Sequence, residues 1–210
     1  MTMKKRMILM LCLSAFLQIG WAQNTMESIR QRYSDIKNYI ATHTGTNMND
    51  GAEWAEYYHV EARQFLPATG GHIEDVYMYF DEREEEKIYP SHYLTFATSR
   101  YNFSAIEYYE EYLYDKDGKV AFIYVHNPST SFDEGTDDKE YEMRFYLSNG
   151  KLIRGIIKNR NLGQGEYKDV FSGANLEKKY ASAYALYLQK AEKIRQMFIS
   201  IEKEAYDYTE

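Results

Sequence analysis

The side chains able to do covalent or metal chemistry are few in kind. Among 210 residues there are one cysteine and five histidines, beside 25 Lys plus Arg and 32 Asp plus Glu. The cysteine, Cys12, sits in an apolar N-terminal run, which leaves no thiol downstream for nucleophilic work or for a Cys-based metal site. His43, His59, His72, His92 and His126 include no pair at the i, i+4 spacing of a zinc helix and no H-E-x-x-H. The chain also lacks a G-x-S-x-G elbow, a phosphate-cradling P-loop and a dinucleotide glycine fingerprint. Asp115-Lys116-Asp117-Gly118 opens like a calcium loop but lacks the later ligands, and it reads as a hairpin turn. Asp133-Glu134-Gly135-Thr136-Asp137-Asp138 reads as a solvated acidic loop. Neither a metal nor a cofactor is expected. Paired carboxylates for glycoside hydrolysis remain an open alternative, with Glu110 the place to look, although no spacing selects its partner.

Aromatic residues are the richer signal, with 22 Tyr in the chain. If Lys116-Asp117-Gly118 is a three-residue loop with a left-handed glycine, Tyr114 pairs with Val120, Tyr112 with Phe122, Glu110 with Tyr124 and Tyr108 with His126. One sheet face then carries Tyr108, Glu110, Tyr112, Phe122, Tyr124 and His126. Such a ladder offers ring area with polar edges, which suits a sugar or a peptide, and these six are the candidate ligand-binding residues. Trp54, Tyr57 and Tyr58 could extend it. The competing reading is that these rings fill a second small core, since Tyr is a good strand residue. The opposite face, with Tyr109, Glu111, Leu113, Ala121, Ile123 and Val125, is expected to receive the helices.

The elements that must position this face are legible as changes of period. Met26, Ile29, Tyr33, Ile36 and Ile40 recur at spacings of three and four behind a capping box of Asn24 and Glu27. Tyr180, Tyr184, Tyr187, Ala191, Ile194, Phe198, Ile201 and Ala205 continue the same alternation near the C-terminus. Because both stripes are alike, the two helices are expected to pack beside each other, or the longer one to form a dimerising seam. Between them, segments 56–66, 72–82, 92–103, 105–115, 119–127, 139–148 and 151–160 alternate or run apolar, separated by turn chemistry. The expected class is α+β: an antiparallel meander of six or seven strands with a short N-terminal and a long C-terminal helix on one face, in a single domain over 23–210.

Met1 to Arg6 carries Lys4, Lys5 and Arg6, an apolar run follows to Gly20, and Gly20-Trp21-Ala22 supplies small residues before Gln23. The succession is that of a secretory signal peptide over 1–22, so the protein is expected in the periplasm or outside the cell, without a transmembrane segment. Cleavage takes basic residues and no acidic one from a chain already at a formal charge of −7. That balance disfavours nucleic acid and anionic membranes as partners. A glycan, a peptide or another envelope protein remains, bound by a chiefly non-catalytic module that is monomeric unless the C-terminal helix pairs; a purely structural envelope protein is the other alternative. Tyr114-Asp115-Lys116-Asp117-Gly118-Lys119-Val120 aligns with Tyr146-Leu147-Ser148-Asn149-Gly150-Lys151-Leu152, and the match resembles the Tyr-before-Gly-Lys hairpin repeats of bacterial surface proteins. The leader and the Tyr, Lys, Glu and Asn flavour resemble exported proteins of gut Bacteroidetes, a resemblance of style that implies no activity.

Overall fold

Helix α1, Met26–Thr42, begins one residue later than the sequence suggests: Thr25 is the cap, and its hydroxyl accepts from the backbone N–H of Ser28 at 3.2 Å. A Thr hydroxyl satisfies one of the donors that every helix start leaves without a partner. The coordinates, a computed structural model, describe residues 25–43, 55–85, 90–133 and 135–206. The proposed leader, Asn24 and Trp54 lie outside the described residues. No helix among the described residues is long and apolar enough to cross a membrane.

The middle of the chain is one antiparallel sheet of eight strands in sequence order: β1 Tyr57–Leu66, β2 Gly70–Glu82, β3 His92–Phe103, β4 Ile106–Tyr114, β5 Val120–Thr130, β6 Lys139–Ser148, β7 Lys151–Asn161 and β8 Gln164–Gly173. The α+β class and the meander are as expected. β8 is one strand more, turning back on β7 across Leu162 and Gly163 so that Asn161 faces Gln164. Its polar start, Gln-Gly-Glu, hides the alternation that Tyr167, Val170 and Phe171 carry only weakly. Helix α2, Lys178–Tyr206, closes the described chain.

The helices do not pack beside each other; they lie on opposite faces of the sheet. The stripe of α2, including Tyr180, Tyr187, Ala191, Ile194 and Phe198, is buried with Met78, Ala97, Tyr112, Ile123, Met143, Phe145 and Ile157. The stripe of α1 packs Ile29, Tyr33, Ile36 and Ile40 on Phe96, Leu113, Ala121, Phe122 and Tyr146. An eight-stranded sheet with apolar residues on both faces needs a cover on each, and one helix per face supplies it. The heptad-like alternation therefore marks a helix on a sheet, and the expectation of a shared face is corrected.

A bulge reverses the expected register of the β4–β5 hairpin. The turn itself forms as anticipated: Asp115 N–H donates to Lys119 O at 2.9 Å, Gly118 N–H donates to Asp115 O at 2.8 Å, and Gly118 sits at φ +76°. Tyr114 faces Val120, but the next pair is Leu113 with Phe122, leaving Ala121 unopposed. One extra residue slips every later pair by one position and exchanges the faces. Tyr112 thus faces Ile123, Glu111 faces Tyr124, Glu110 faces Val125 and Tyr109 faces His126. The β6–β7 hairpin bulges likewise at Ile153, after a two-residue Asn149-Gly150 turn. Ile153 accordingly lies on the α1 side, away from Tyr141, Met143, Phe145 and Ile157. The two aligned tyrosines end on opposite faces, Tyr114 under α2 and Tyr146 under α1.

Gly155, mid-strand in β7, is held small by its neighbours. A Cβ there would stand 2.8 Å from Leu176 Cδ2, 3.5 Å from Phe171 and 3.6 Å from Phe145. Gly155→Ala can be absorbed by a swing of the Leu176 tip, whereas Gly155→Val is expected to cost about 1–3 kcal/mol by overpacking. Urea titration of the two variants checks the difference.

Candidate functional site

The six residues proposed as one ladder are divided between the two faces. Tyr108, Glu110 and Tyr112 turn toward α2 with Ile123 and Val125, while Phe122, Tyr124 and His126 turn toward α1 with Tyr109 and Glu111. Tyr112 is fully buried and Phe122 is 3 % exposed, so both are core. Glu110 is 1 % exposed, and its oxygens accept from Tyr101 at 2.8 Å, from Tyr112 at 2.5 Å and from Lys190 at 2.9 Å. Glu74, 3.2 Å from the same ammonium, is the neighbouring carboxylate. A carboxylate so enclosed has no side left for a glycosidic oxygen. Tyr108 joins a separate aromatic group, stacked on Tyr101 at 5.1 Å and edge-on to Phe103 at 5.8 Å.

His126 holds a different position from the one expected. Its Nε2 lies 2.8 Å from Glu140, which also accepts from Arg160 at 2.7 and 2.8 Å and from Tyr167 at 2.6 Å. Hydrogen bonds from Arg160, then from Tyr167 and His126, hold the Glu140 carboxyl down at about 2, against a penalty from burial. A carboxyl with a lowered folded-state pKa stabilises the fold above its unfolded value and loses that contribution as pH falls through the folded value. The stability difference between the wild type and Glu140→Gln is therefore expected to be full above pH 4.5 and to vanish toward pH 2, as measured by urea titration across that window.

The α1 side carries the concave surface. Arg30, Tyr33, Lys37 and Ile40 fall at spacings of three and four, on one flank of α1, and line the clefts between the helix and the sheet. Beneath them, His59, Tyr77, Thr98, Glu111, Tyr124 and Arg144 stand opposite one another in a row across β1 to β6. A second row, Glu61, Asp75, Arg100, Tyr109, His126, Glu142, Lys158 and Asp169, runs parallel to it across all eight strands.

Two clefts follow this flank. One, of about 380 Å³, is lined by Ile29, Arg30, Tyr33, Glu111, Phe122, Tyr124, Arg144 and Tyr146. The other, of about 450 Å³, is lined by residues including Lys37, Ile40, Asp75, Tyr77, Tyr79, Arg100 and Tyr109. Both volumes fall within the range of small-ligand sites, roughly 300–1,000 Å³.

Glu111 is the post between the clefts. It is 1 % exposed and accepts from Tyr33, from Tyr109 at 2.7 Å and from Lys37 at 2.5 Å. Burial first, and then the Glu111 charge and hydrogen bonds, raise the Tyr33 and Tyr109 phenols well above the usual value. Burial and Glu142 push Tyr124 up to about 12. All three phenols remain protonated donors at neutral pH. Guanidiniums lie over several of these rings, Arg30 over Tyr146 at 5.4 Å, Arg100 over Tyr109 at 5.4 Å and Arg144 over Tyr124 at 5.2 Å.

Of the proposed residues, Tyr124 lines the groove, His126 lies in the row beside it and Phe122 backs it. Sequence reasoning missed Arg30, Lys37, Arg100, Tyr109, Glu111 and Arg144. The usable signal was Glu111, a carboxylate inside a run of strand residues beside a second one, because a buried charge must be met by a cation or donors from another element. Comparison of the chain with protein-family models, with curated proteins and with solved structures finds no match to any of them.

Proposed function

We propose that the protein is an exported, non-catalytic binding module that takes a glycan or peptide ligand in the groove along α1. The observation that supports this reading is the pair of clefts floored by Tyr77, Tyr79, Tyr109 and Tyr124, walled by Tyr33 of α1 and edged by arginines. Rings of this kind bring contact area at small entropy cost, and their hydroxyls add direction. Export rests on the basic, apolar and small-residue succession over 1–22. Mass spectrometry of the protein from its native cell is expected to find Gln23 at the N-terminus, and retention of residues 1–22 would remove that part of the reading.

Binding is tested on oligosaccharide and peptide arrays with the mature chain and with Tyr77→Ala and Tyr124→Ala, one floor ring from each cleft. A ligand whose affinity falls about tenfold or more in either variant, at a melting temperature within a few degrees of wild type, is the expected result. A ligand insensitive to both variants would move the site elsewhere.

A further inference from the structure

The cleft between α1 and strands β4 to β6 has an electrostatic bias that its rings do not explain. Arg30, exposed on α1, donates from Nε to the Tyr146 hydroxyl at 3.3 Å and lies over that ring, and no carboxylate among the described residues is within ion-pair distance of it. Arg144 lies over Tyr124 and gives one Nη to Glu142 at 3.0 Å. Both guanidiniums line the same cleft. A guanidinium carries five N–H donors in a planar fork, so each has donors to spare. The carboxylate in the cleft wall, Glu111, is already neutralised by Lys37.

Resting on the reading of the groove as a ligand site, we propose that this cleft selects a carboxylate-bearing saccharide, with Arg30 and Arg144 taking the carboxylate and Tyr33 and Tyr124 taking the sugar ring. Three features of the cleft choose this class. Two guanidiniums with unspent donors lining one cleft match a carboxylate by paired N–H contacts. The floor strands spend their backbone groups on one another through β4, β5 and β6, so a peptide cannot add there as a strand. Arg144 shares its charge with Glu142 and Arg30 alone is left unpaired, so the cleft's spare positive charge fits one carboxylate better than a dianion such as phosphate.

The test is calorimetric titration of the mature protein with trigalacturonate, its neutral galactose counterpart, inorganic phosphate and an oligoglutamate peptide. Trigalacturonate is expected to bind alone among the four, more weakly as salt is raised. Arg30→Gln with Arg144→Gln should lower its affinity by roughly tenfold to a hundredfold, since a charge-assisted, bidentate contact is lost. Both side chains reach solvent, so the melting temperature should hold. Arg30→Lys keeps the charge and loses the fork, and should fall between. Equal binding of the neutral trisaccharide, sensitive to Tyr124→Ala but not to the arginine changes, would overturn the carboxylate preference and leave the groove standing. Arginine-dependent binding of phosphate or oligoglutamate in preference to trigalacturonate would overturn the saccharide class. If none of the four binds, this proposal fails, and the groove reading fails with it only if the wider arrays also yield no ligand sensitive to Tyr77→Ala or Tyr124→Ala.

Discussion

Ile194→Asp is expected to leave the purified chain unfolded. Ile194 is 3 % exposed on the inner stripe of α2, buried with Ala191 and Phe198 against the sheet. Aspartate there loses the burial of a large aliphatic side chain and places a carboxylate where the surroundings are apolar. The lost burial costs about 3 kcal/mol and an unpaired buried carboxylate several more, which together reach into the total stability of about 5–15 kcal/mol of a domain of this kind. Ile199, five residues on, is 41 % exposed, and Ile199→Asp should change stability by no more than about 0.5 kcal/mol. Circular dichroism with light scattering separates the readings: if the stripe were a dimer seam, Ile194→Asp would give a folded monomer, and that result would contradict the burial of α2 on its own sheet.

What the sequence carries about this fold follows from which interactions are local. Helix stripes and hairpin turns are written within a few residues, and α1, α2 and the strands β3 and β6 fall on their expected segments. Which face each helix covers depends on where apolar residues of distant strands end up, and a bulge decides that. Nothing in Val120-Ala121-Phe122 distinguishes a regular pair from a bulge, because Val, Ala and Phe are tolerated on either face. The structure resolves the choice by putting Val120 under α2 and both Ala121 and Phe122 under α1. The proposed ladder was therefore right in its turn and wrong beyond Leu113. The groove was less legible still, since it needs α1 to cross six strands, from Tyr146 and Ile156 on one side to Tyr79 on the other. Glu110 and Glu111 are the positions where sequence reasoning could have gone further. Adjacent strand residues point to opposite faces, so two buried neighbouring carboxylates demand a cation or donors on each side. Lys37 with Tyr33 on α1, and Lys190 on α2, meet that demand.

Glu110→Leu should be the costliest polar substitution, at about 3 kcal/mol, the lower end of the roughly 3–5 kcal/mol found when one member of a buried ion pair is removed. Two opposing effects set the magnitude. Lys190 keeps Glu74 at 3.2 Å, and its side chain is 24 % exposed, so the ammonium is not stranded. Tyr112 is fully buried and donates to Glu110 at 2.5 Å; its hydroxyl has no water to turn to, and an unmet buried donor costs about 1–3 kcal/mol. The hydroxyl therefore carries much of the penalty. Glu110→Gln keeps an acceptor for it and should cost less than Glu110→Leu. Tyr112→Phe in the Glu110→Leu background removes the orphaned donor, so the pair should be less destabilising than the sum of the single changes by about 1 kcal/mol or more, well above the usual additivity error. Urea midpoints at constant m-value measure the cycle. Simple additivity would mean that Tyr112 finds another acceptor under α2, and a wild-type midpoint for Glu110→Leu would mean that the Lys190 contact to Glu74 alone holds that helix in place.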